Sequence, residues 1–382
     1  MKLAEPRPIK DYCLGIYDGP HATPKESGDG PVFLGIKNFT ENGGLDLSEI
    51  RHVSEEEYPR WTRRVTPQAG DVVFTYEATL HRYAVIPDGF RGCLGRRVAL
   101  VRPDPDQADS RYLLYHFLSH RWRQVVEASV ITGATVDRVP LEKFPNFALA
   151  LPPLDVQRRV ADTLSAYDDL IENNRRRMAL LEDAARQLYR EWFVRLRFPG
   201  HEHTRIVDGV PEGWERTPLE SVMVLQRGFD LPVQDREEGN VPVYGSTGIV
   251  GSHSKARVQG PGLVTGRSGT LGQVHHVASD FWPLNTCLWV KDFKRTPPFH
   301  GLFLLRELDF KQYNGGVSVP TLDRKTVHKI EILLPPDKLL SLFEEFTAPL
   351  FDQIQNLSLQ VDKLRTARDL LLPRLMSGEI AV

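Results

Sequence analysis

The segment whose residue types most invite chemistry is a glycine-rich run, GPGLVTGRSGTLGQ, from Gly260 to Gln273. A P-loop needs four residues between its first glycine and a Gly-Lys-Ser/Thr, with the lysine on phosphates. Here five residues separate Gly260 from Gly266, and Arg267 stands where the lysine belongs, which argues against a nucleotide site. Read instead as GxxGxxG at a strand-to-loop exit, the glycines let backbone approach a ligand, while Arg267, Ser268 and Thr270 offer donors to phosphates or base edges. A hairpin that merely turns is the alternative. His116 and His120 in YHFLSH have the i, i+4 spacing of metal ligands on a helix, but the Glu of HExxH and a third ligand are missing. His275-His276 and His201-Glu202-His203 make no better case, so no metal is expected. The chain also lacks an Asn/Asp-Pro-Pro-Tyr tetrapeptide, an FxGxG cofactor loop and a GxSxG nucleophile elbow, and no catalytic residue is assigned.

At an offset of 191 residues the glycine-rich run has a counterpart, Tyr76-Glu77-Ala78-Thr79-Leu80-His81-Arg82, with different residues at the same place. Glu77 could accept from a cytosine amino group and Arg82 could bind phosphate or guanine; each could equally be a surface charge. Tyr76 joins these candidates. Lys25, Lys37 and Asn38 in an early loop, and Arg227, Tyr244 and Lys255 further on, complete the residues considered for nucleic-acid contact.

These residues must be held by something, and an internal repeat shows what. GATVDRVPLEKFPNFALALPPL from Gly133 resembles GGVSVPTLDRKTVHKIEILLPPD from Gly315, aligning at an offset of 183 residues that matches Leu151-Pro152-Pro153 to Leu334-Pro335-Pro336. A long charged and aliphatic stretch follows each copy, the second read as interrupted late, at Pro373. Steps of three and four give a seam of Leu164, Tyr167, Ile171, Asn174, Met178, Leu181, Ala185, Leu188 and Trp192. Adding 183 gives Thr347, Leu350, Ile354, Leu357, Val361, Leu364, Arg368, Leu371 and Leu375. Two matched stripes favour mutual packing of the helices over separate packing on each domain. Asn174 and Arg368 are polar seam positions of the kind that fix register at some cost in stability.

Before each helix lie strand and turn patterns, among them GDVVFT at 70–75 and RVALVRP at 97–103, then VPVYG, GLVTG, GQVHHV and TCLWVKDF. One helix is expected in each region, around Arg111 to Ala128 and Pro298 to Leu308. The fold expected is α+β: strand-rich domains at 1–150 and 201–334, a central long helix at 151–200 and a C-terminal long helix at 335–382. Such a tandem repeat folds with a pseudo-twofold axis and antiparallel, coiled-coil helices.

With 382 residues, 41% hydrophobic and 26% charged, the chain is sized for more than one globular unit, and a net charge of −2 gives no overall basic signal. Cys13, Cys93 and Cys287 are too scattered for a zinc ribbon or disulfide framework and are read as buried, reduced thiols. Neither a signal peptide nor an 18-residue apolar run is present, which points to the cytoplasm and no membrane.

The residues now carry a family resemblance. LPPLDVQRRVADTLSAYDDLIENNRRRMALLEDAARQLYREWFVRLRFPG at 151–200, PEGW at 211–214, VSEEEY at 53–58, GDVVFT and LLPRLMSGEI at 371–380 resemble the specificity subunit of type I restriction-modification systems. The first domain departs in lacking a GW opening. The resemblance implies two target-recognition domains, each reading half of a bipartite site in double-stranded DNA. It further implies helices that hold two methyltransferase subunits, which would carry S-adenosylmethionine, and motor-nuclease subunits that join them in phage defence. The chain itself would need no cofactor and catalyse nothing. A standalone enzyme using the glycine-rich loop and a coiled-coil scaffold are the competing functions. From Leu164 to Trp192 a helix runs roughly 42 Å at about 1.5 Å per residue. One DNA turn is about 34 to 36 Å, so helix length is expected to set the distance between half-sites.

Overall fold

A computed structural model describes residues 5–133, 136–316 and 319–380. Four positions of the repeated segment, Ala134, Thr135, Val317 and Ser318, lie outside the described residues.

The first domain contains β1 (Arg7–Pro8), β2 (Cys13–Asp18), β3 (Ser27–Leu34), β4 (Arg51–His52), α1 (Tyr58–Trp61), β5 (Val72–Thr75), β6 (Tyr83–Val85), β7 (Gly92–Leu94), β8 (Val98–Pro103), α2 (Ser110–Leu118), α3 (His120–Glu127) and β9 (Ala148–Leu149). Its main sheet is antiparallel, in the order β2-β8-β5-β6. Val98-Ala99-Leu100-Val101 is an unbroken apolar run because β8 is covered on both faces, where an exposed face would have demanded alternation. A second sheet, β4-β3-β7, pairs β3 with β7 in parallel, and β1 pairs with β9. The core is aromatic: Phe74 stacks on Phe144 and Phe117 on Trp122, each pair with centroids 4.6 Å apart.

The long helix α4 (Leu154–Tyr189) comes next and ends in a π-helical turn, Arg190–Val194. The second domain contains β10 (Ile206–Val207), β11 (Val210–Pro211), β12 (Glu215–Pro218), α5 (Leu219–Val222), β13 (Val224–Arg227), β14 (Val241–Gly245), β15 (Gly248–His253), β16 (Gly262–Gly266), β17 (Val274–Val277), β18 (Trp282–Pro283), β19 (Cys287–Asp292), α6 (Pro298–Glu307), α7 (Arg324–His328) and β20 (Glu331–Leu334). The sheets β13-β19-β16-β17, β15-β14-β18 and β12-β20 repeat the first domain's orders and directions. β1 therefore stands where β12 does, so the first domain keeps its opening strand without the GW. The final helix is α8 (Asp337–Ser377).

Contacts divide the chain into two units: residues up to Glu172 together with those from Val361 onward, and Asn173–Gln360. Each unit thus holds one domain and half of each long helix. Within each, the helices run antiparallel. In the first unit Val160 and Leu164 share a core with Leu375 and Met376, and Asp168 pairs with Arg368. In the second, Asn174 Nδ2 donates to Gln360 Oε1 at 3.4 Å and Trp192 lies 6.0 Å from Phe343.

Three matched residues in contact differ in polarity between the units. In the first, the Tyr115 hydroxyl donates to Asp168 at 2.6 Å, Asp168 pairs with Arg368, and Arg368 also reaches Asp369 at 2.8 Å. The residues in the same places of the second unit are Phe303, Phe351 and Ala185, and the two phenylalanine rings lie 6.1 Å apart. A polar knot in one unit replaces an apolar contact in the other.

Three local expectations need correction. The single helix expected over 111–128 is two, because Ser119 is extended (ψ 149) and its hydroxyl caps the Trp122 amide at 3.3 Å. α8 continues through Pro373 to Ser377 and also through Pro349, which the sequence reading passes over. Both prolines are exposed, so the carbonyls freed by their missing N–H groups face water rather than core. Cys13 is only half-buried, unlike Cys93 and Cys287, although burial raises all three thiols, to about 11, 12 and 11.

Candidate nucleic-acid interface

The run from Gly260 to Gln273 contains β16 and the loop that joins it to β17, and its counterpart is the loop of the β5–β6 hairpin. The turn before each domain's helices and the repeated segment after them clasp the hairpin loop in the same way. In the first domain the Tyr76 amide donates to Arg97 O, Val139 N to Tyr76 O and Ala78 N to Asp137 O, at 3.2, 2.7 and 3.0 Å. In the second, Arg267 N donates to Thr286 O, Leu322 N to Arg267 O and Gly269 N to Pro320 O, at 2.8, 2.8 and 2.9 Å. Glu77 bridges to Arg138 as Ser268 does to Thr321. One backbone frame is built twice.

The loops are more alike than their sequences suggest. Both carry Thr-Leu at the tip, Thr79-Leu80 and Thr270-Leu271, and both bend through left-handed backbone on either side. Gly269 and Gly272 supply this in the second loop (φ +91 and +87), whereas Ala78 and His81 adopt it in the first (φ 69 and 60), at about 1–2 kcal/mol each. The P-loop reading fails on geometry too: the amides of Arg267 and Ser268 both donate to Thr286 O, and that of Gly269 to Pro320 O. The three amides that follow Gly266 are spent on backbone carbonyls and cannot cradle phosphate.

Three proposed contact residues are structural instead. Asn38 is 5% exposed, accepts from the Gly35 amide at 3.0 Å and donates to the Asp46 and Glu49 carbonyls, which uses its side chain to hold the turn. Tyr76 is 4% exposed in the first core, and burial pushes its hydroxyl up to about 12. Tyr244 is 8% exposed and packs against Phe281 and His275. A strand-end tyrosine looks the same in sequence whichever way it points.

The remaining candidates lie at the surface or at its edge. Glu77 pairs with Arg97 at 2.9 Å and Arg82 with Glu41. Lys25 is exposed; Lys37 is exposed in a cleft with Arg51, Arg96 and Arg97, which the sequence reading did not single out. In the second domain Arg227 lies 3.8 Å from Asp230 and Lys255 3.5 Å from Glu237. Exposed pairs of this kind are worth about 0–1 kcal/mol, so either cation can exchange its carboxylate for a phosphate. Arg267 donates to Asn285 O at 3.4 Å; Ser268 and Thr270 are half-buried in the loop.

The other chemical candidates dissolve. His116 is buried against Tyr112 and Trp122, and burial lowers it to about 4, whereas His120 is exposed on the next helix beyond the Ser119 break. Burial likewise lowers His276 to about 4. Among the described residues no group of three or more His, Cys, Asp or Glu side chains is placed to hold a metal, and no helix is long and apolar enough to cross a membrane. Every seam residue is buried or half-buried, from Leu164, Tyr167, Ile171, Met178, Leu181 and Leu188 on α4 to Leu350, Ile354, Leu357, Val361, Leu364 and Leu371 on α8.

Residues 25–183 and 211–339 match the model of the type I restriction modification DNA specificity domain. The MjaIX specificity subunit of a type I restriction enzyme of Methanocaldococcus jannaschii is 23% identical, over 98% of this chain and 89% of that protein. The same organism's putative MjaX specificity subunit is 20% identical, over 99% and 94%. A crystal structure of a type I restriction-modification S subunit from M. genitalium superposes with a TM-score of 0.57 at 14% identity, covering 98% of this chain and 96% of that one.

Proposed function

Because this chain belongs to the type I restriction-modification DNA specificity family, we propose that its two domains each read one half of a bipartite site in double-stranded DNA. The chain is a DNA sequence-specificity subunit and not itself an enzyme. The observation that carries the bipartite reading is the frame built twice: two hairpin loops held by matched hydrogen bonds, surrounded by side chains that differ. A common scaffold with divergent surfaces is what reading two unrelated half-sites requires.

In this reading the partners are two methyltransferase subunits gripped by the helices, with motor-nuclease subunits joining them in the cytoplasm. S-adenosylmethionine belongs to the methyltransferase, which supplies the methyl group; this chain contributes positioning alone. The roughly 42 Å from Leu164 to Trp192 serves as the ruler between half-sites. Replacing residues 201–334 by the corresponding domain of another family member tests the division of labour. One half of the methylated sequence changes and the other stays; a change in both halves contradicts it.

A further inference from the structure

Beside each hairpin loop lies a surface formed by the turn after the central strand of the smaller sheet, its antiparallel neighbour and the turn leading into the main sheet's central strand. In the first domain these are the turn after β3, β4 and the β7–β8 turn, and they line an open cleft of 530 Å³. It carries Lys37, Arg51 and Arg96 beside the carboxylates Glu26 and Glu49. Arg96 is exposed with no ion pair among the described residues, and Arg51 lies 3.9 Å from Glu26. Arg97, also in the cleft, is held by Glu77 of the hairpin loop, which ties cleft and loop into one surface.

Strand pairing identifies the matching places in the second domain. Val32 faces Gly92 as Val243 faces Trp282, and Phe33 faces Arg51 as Tyr244 faces Ile249. Arg51 therefore corresponds to Ile249, and because Arg97 O accepts from Tyr76 N as Thr286 O does from Arg267 N, Arg96 corresponds to Asn285. Lys37 has no counterpart, since the connection between β3 and β4, residues 35–50, is reduced to Ser246-Thr247 between β14 and β15. The chemistry inverts. Ile249 is 64% exposed on the edge strand, and the Asn285 side-chain amide donates to Asp230, which orients it. Two arginines in one domain are replaced by an exposed aliphatic and an oriented carboxamide in the other, and the connection that carries Lys37 is missing there.

We propose that this surface is the base-reading face of both domains: Arg96, supported by Lys37 and Arg51, selects a guanine in one half-site, and Asn285 with Ile249 selects an A·T pair in the other. The proposal rests on the bipartite reading above. Arginine forms two hydrogen bonds to guanine O6 and N7, asparagine matches adenine N6 and N7, and an aliphatic group meets the thymine methyl. The hairpin tip, with Thr-Leu in both domains, serves the task the domains share and does not discriminate.

The test expresses the full chain with its methyltransferase partner and maps methylated adenines genome-wide for the wild type, Arg96→Ala, Arg96→Lys, Asn285→Ala and Ile249→Ala. Arg96 and Ile249 are exposed and Asn285 is half-buried, and Arg96→Lys keeps the charge while losing the paired hydrogen bonds. Both Arg96 variants are expected to relax a G·C position roughly 10- to 100-fold in the first domain's half-site only. Asn285→Ala and Ile249→Ala are expected to relax an A·T position in the other half. Unchanged motifs, or a uniform fall in methylation with every position still read, overturn the assignment; a wild type without a bipartite motif overturns the reading beneath it instead.

Discussion

The polar knot of Tyr115, Asp168 and Arg368 gives a sharp test of the packing account. Asp168→Ala takes the acceptor from the Tyr115 hydroxyl and strands Arg368, whose side chain is 12% exposed, against the core edge. Removing one partner of a fully buried pair costs about 3–5 kcal/mol. Two features reduce that figure: Asp168 itself is 36% exposed, and Arg368 keeps Asp369 at 2.8 Å. About 2 kcal/mol remains, weighted to the first unit. Replacing all three residues by those the second unit carries, as Tyr115→Phe, Asp168→Phe and Arg368→Ala together, removes every stranded polar group. Swapping a buried ionic set for packed apolar groups is neutral or stabilising, so the triple variant is expected within about 1 kcal/mol of wild type. Chemical denaturation, read alongside hydrogen exchange of α2, measures both. A single variant indistinguishable from wild type, or a triple variant as damaged as the single, refutes the reasoning.

Three further outcomes follow from the same geometry. Gly266→Ala places a Cβ 1.9 Å from Thr270 O, backbone that cannot yield, and is expected to destabilise the second domain by more than about 2 kcal/mol in a denaturation curve. Glu344 receives the Phe299 amide at 3.2 Å, and burial raises its carboxyl to about 7. A raised carboxyl favours the folded state fully below about 4.5 and loses that advantage as pH rises through 7. Glu344→Gln should therefore stabilise on the order of 1–2 kcal/mol at pH 8 and little at pH 5, after allowance for partial exposure. His116 and His276 pull the other way: lowered to about 4, they give up stability as pH falls from about 6.5, so replacing either by Gln should flatten the acid side of a melting profile. Deleting seven residues from each long helix should shorten the spacer of the methylated sequence by several base pairs and leave both half-sites intact, as sequencing of methylated sites would reveal; altered half-sites would count against the ruler.

Much of this was legible in the sequence because repetition is. The LPP segments and matched seams survive since both copies perform the same packing, and a period of 3.6 is visible without any partner. What sequence could not supply is direction and company. Asn38 reads as a polar loop residue, yet it binds Asp46 and Glu49 carbonyls eight and eleven residues on. Tyr76 and Tyr244 end strands where either face was open to them. The Ser119 break rests on one ψ angle, and the cleft joins residues 37, 51 and 96, which meet through the pairing of β3 with β4 on one side and with β7 on the other. The different residues at the two hairpins concealed a common fold, since Ala78 and His81 adopt the backbone for which the second copy uses glycine.

The central claim is that two domains read two half-sites. Co-expression of the chain with the methyltransferase subunit proposed as its partner, followed by genome-wide mapping of methylated adenines, tests it most directly. A two-part motif with a spacer of fixed length is the predicted result; a continuous motif, or methylation without sequence preference, would contradict it.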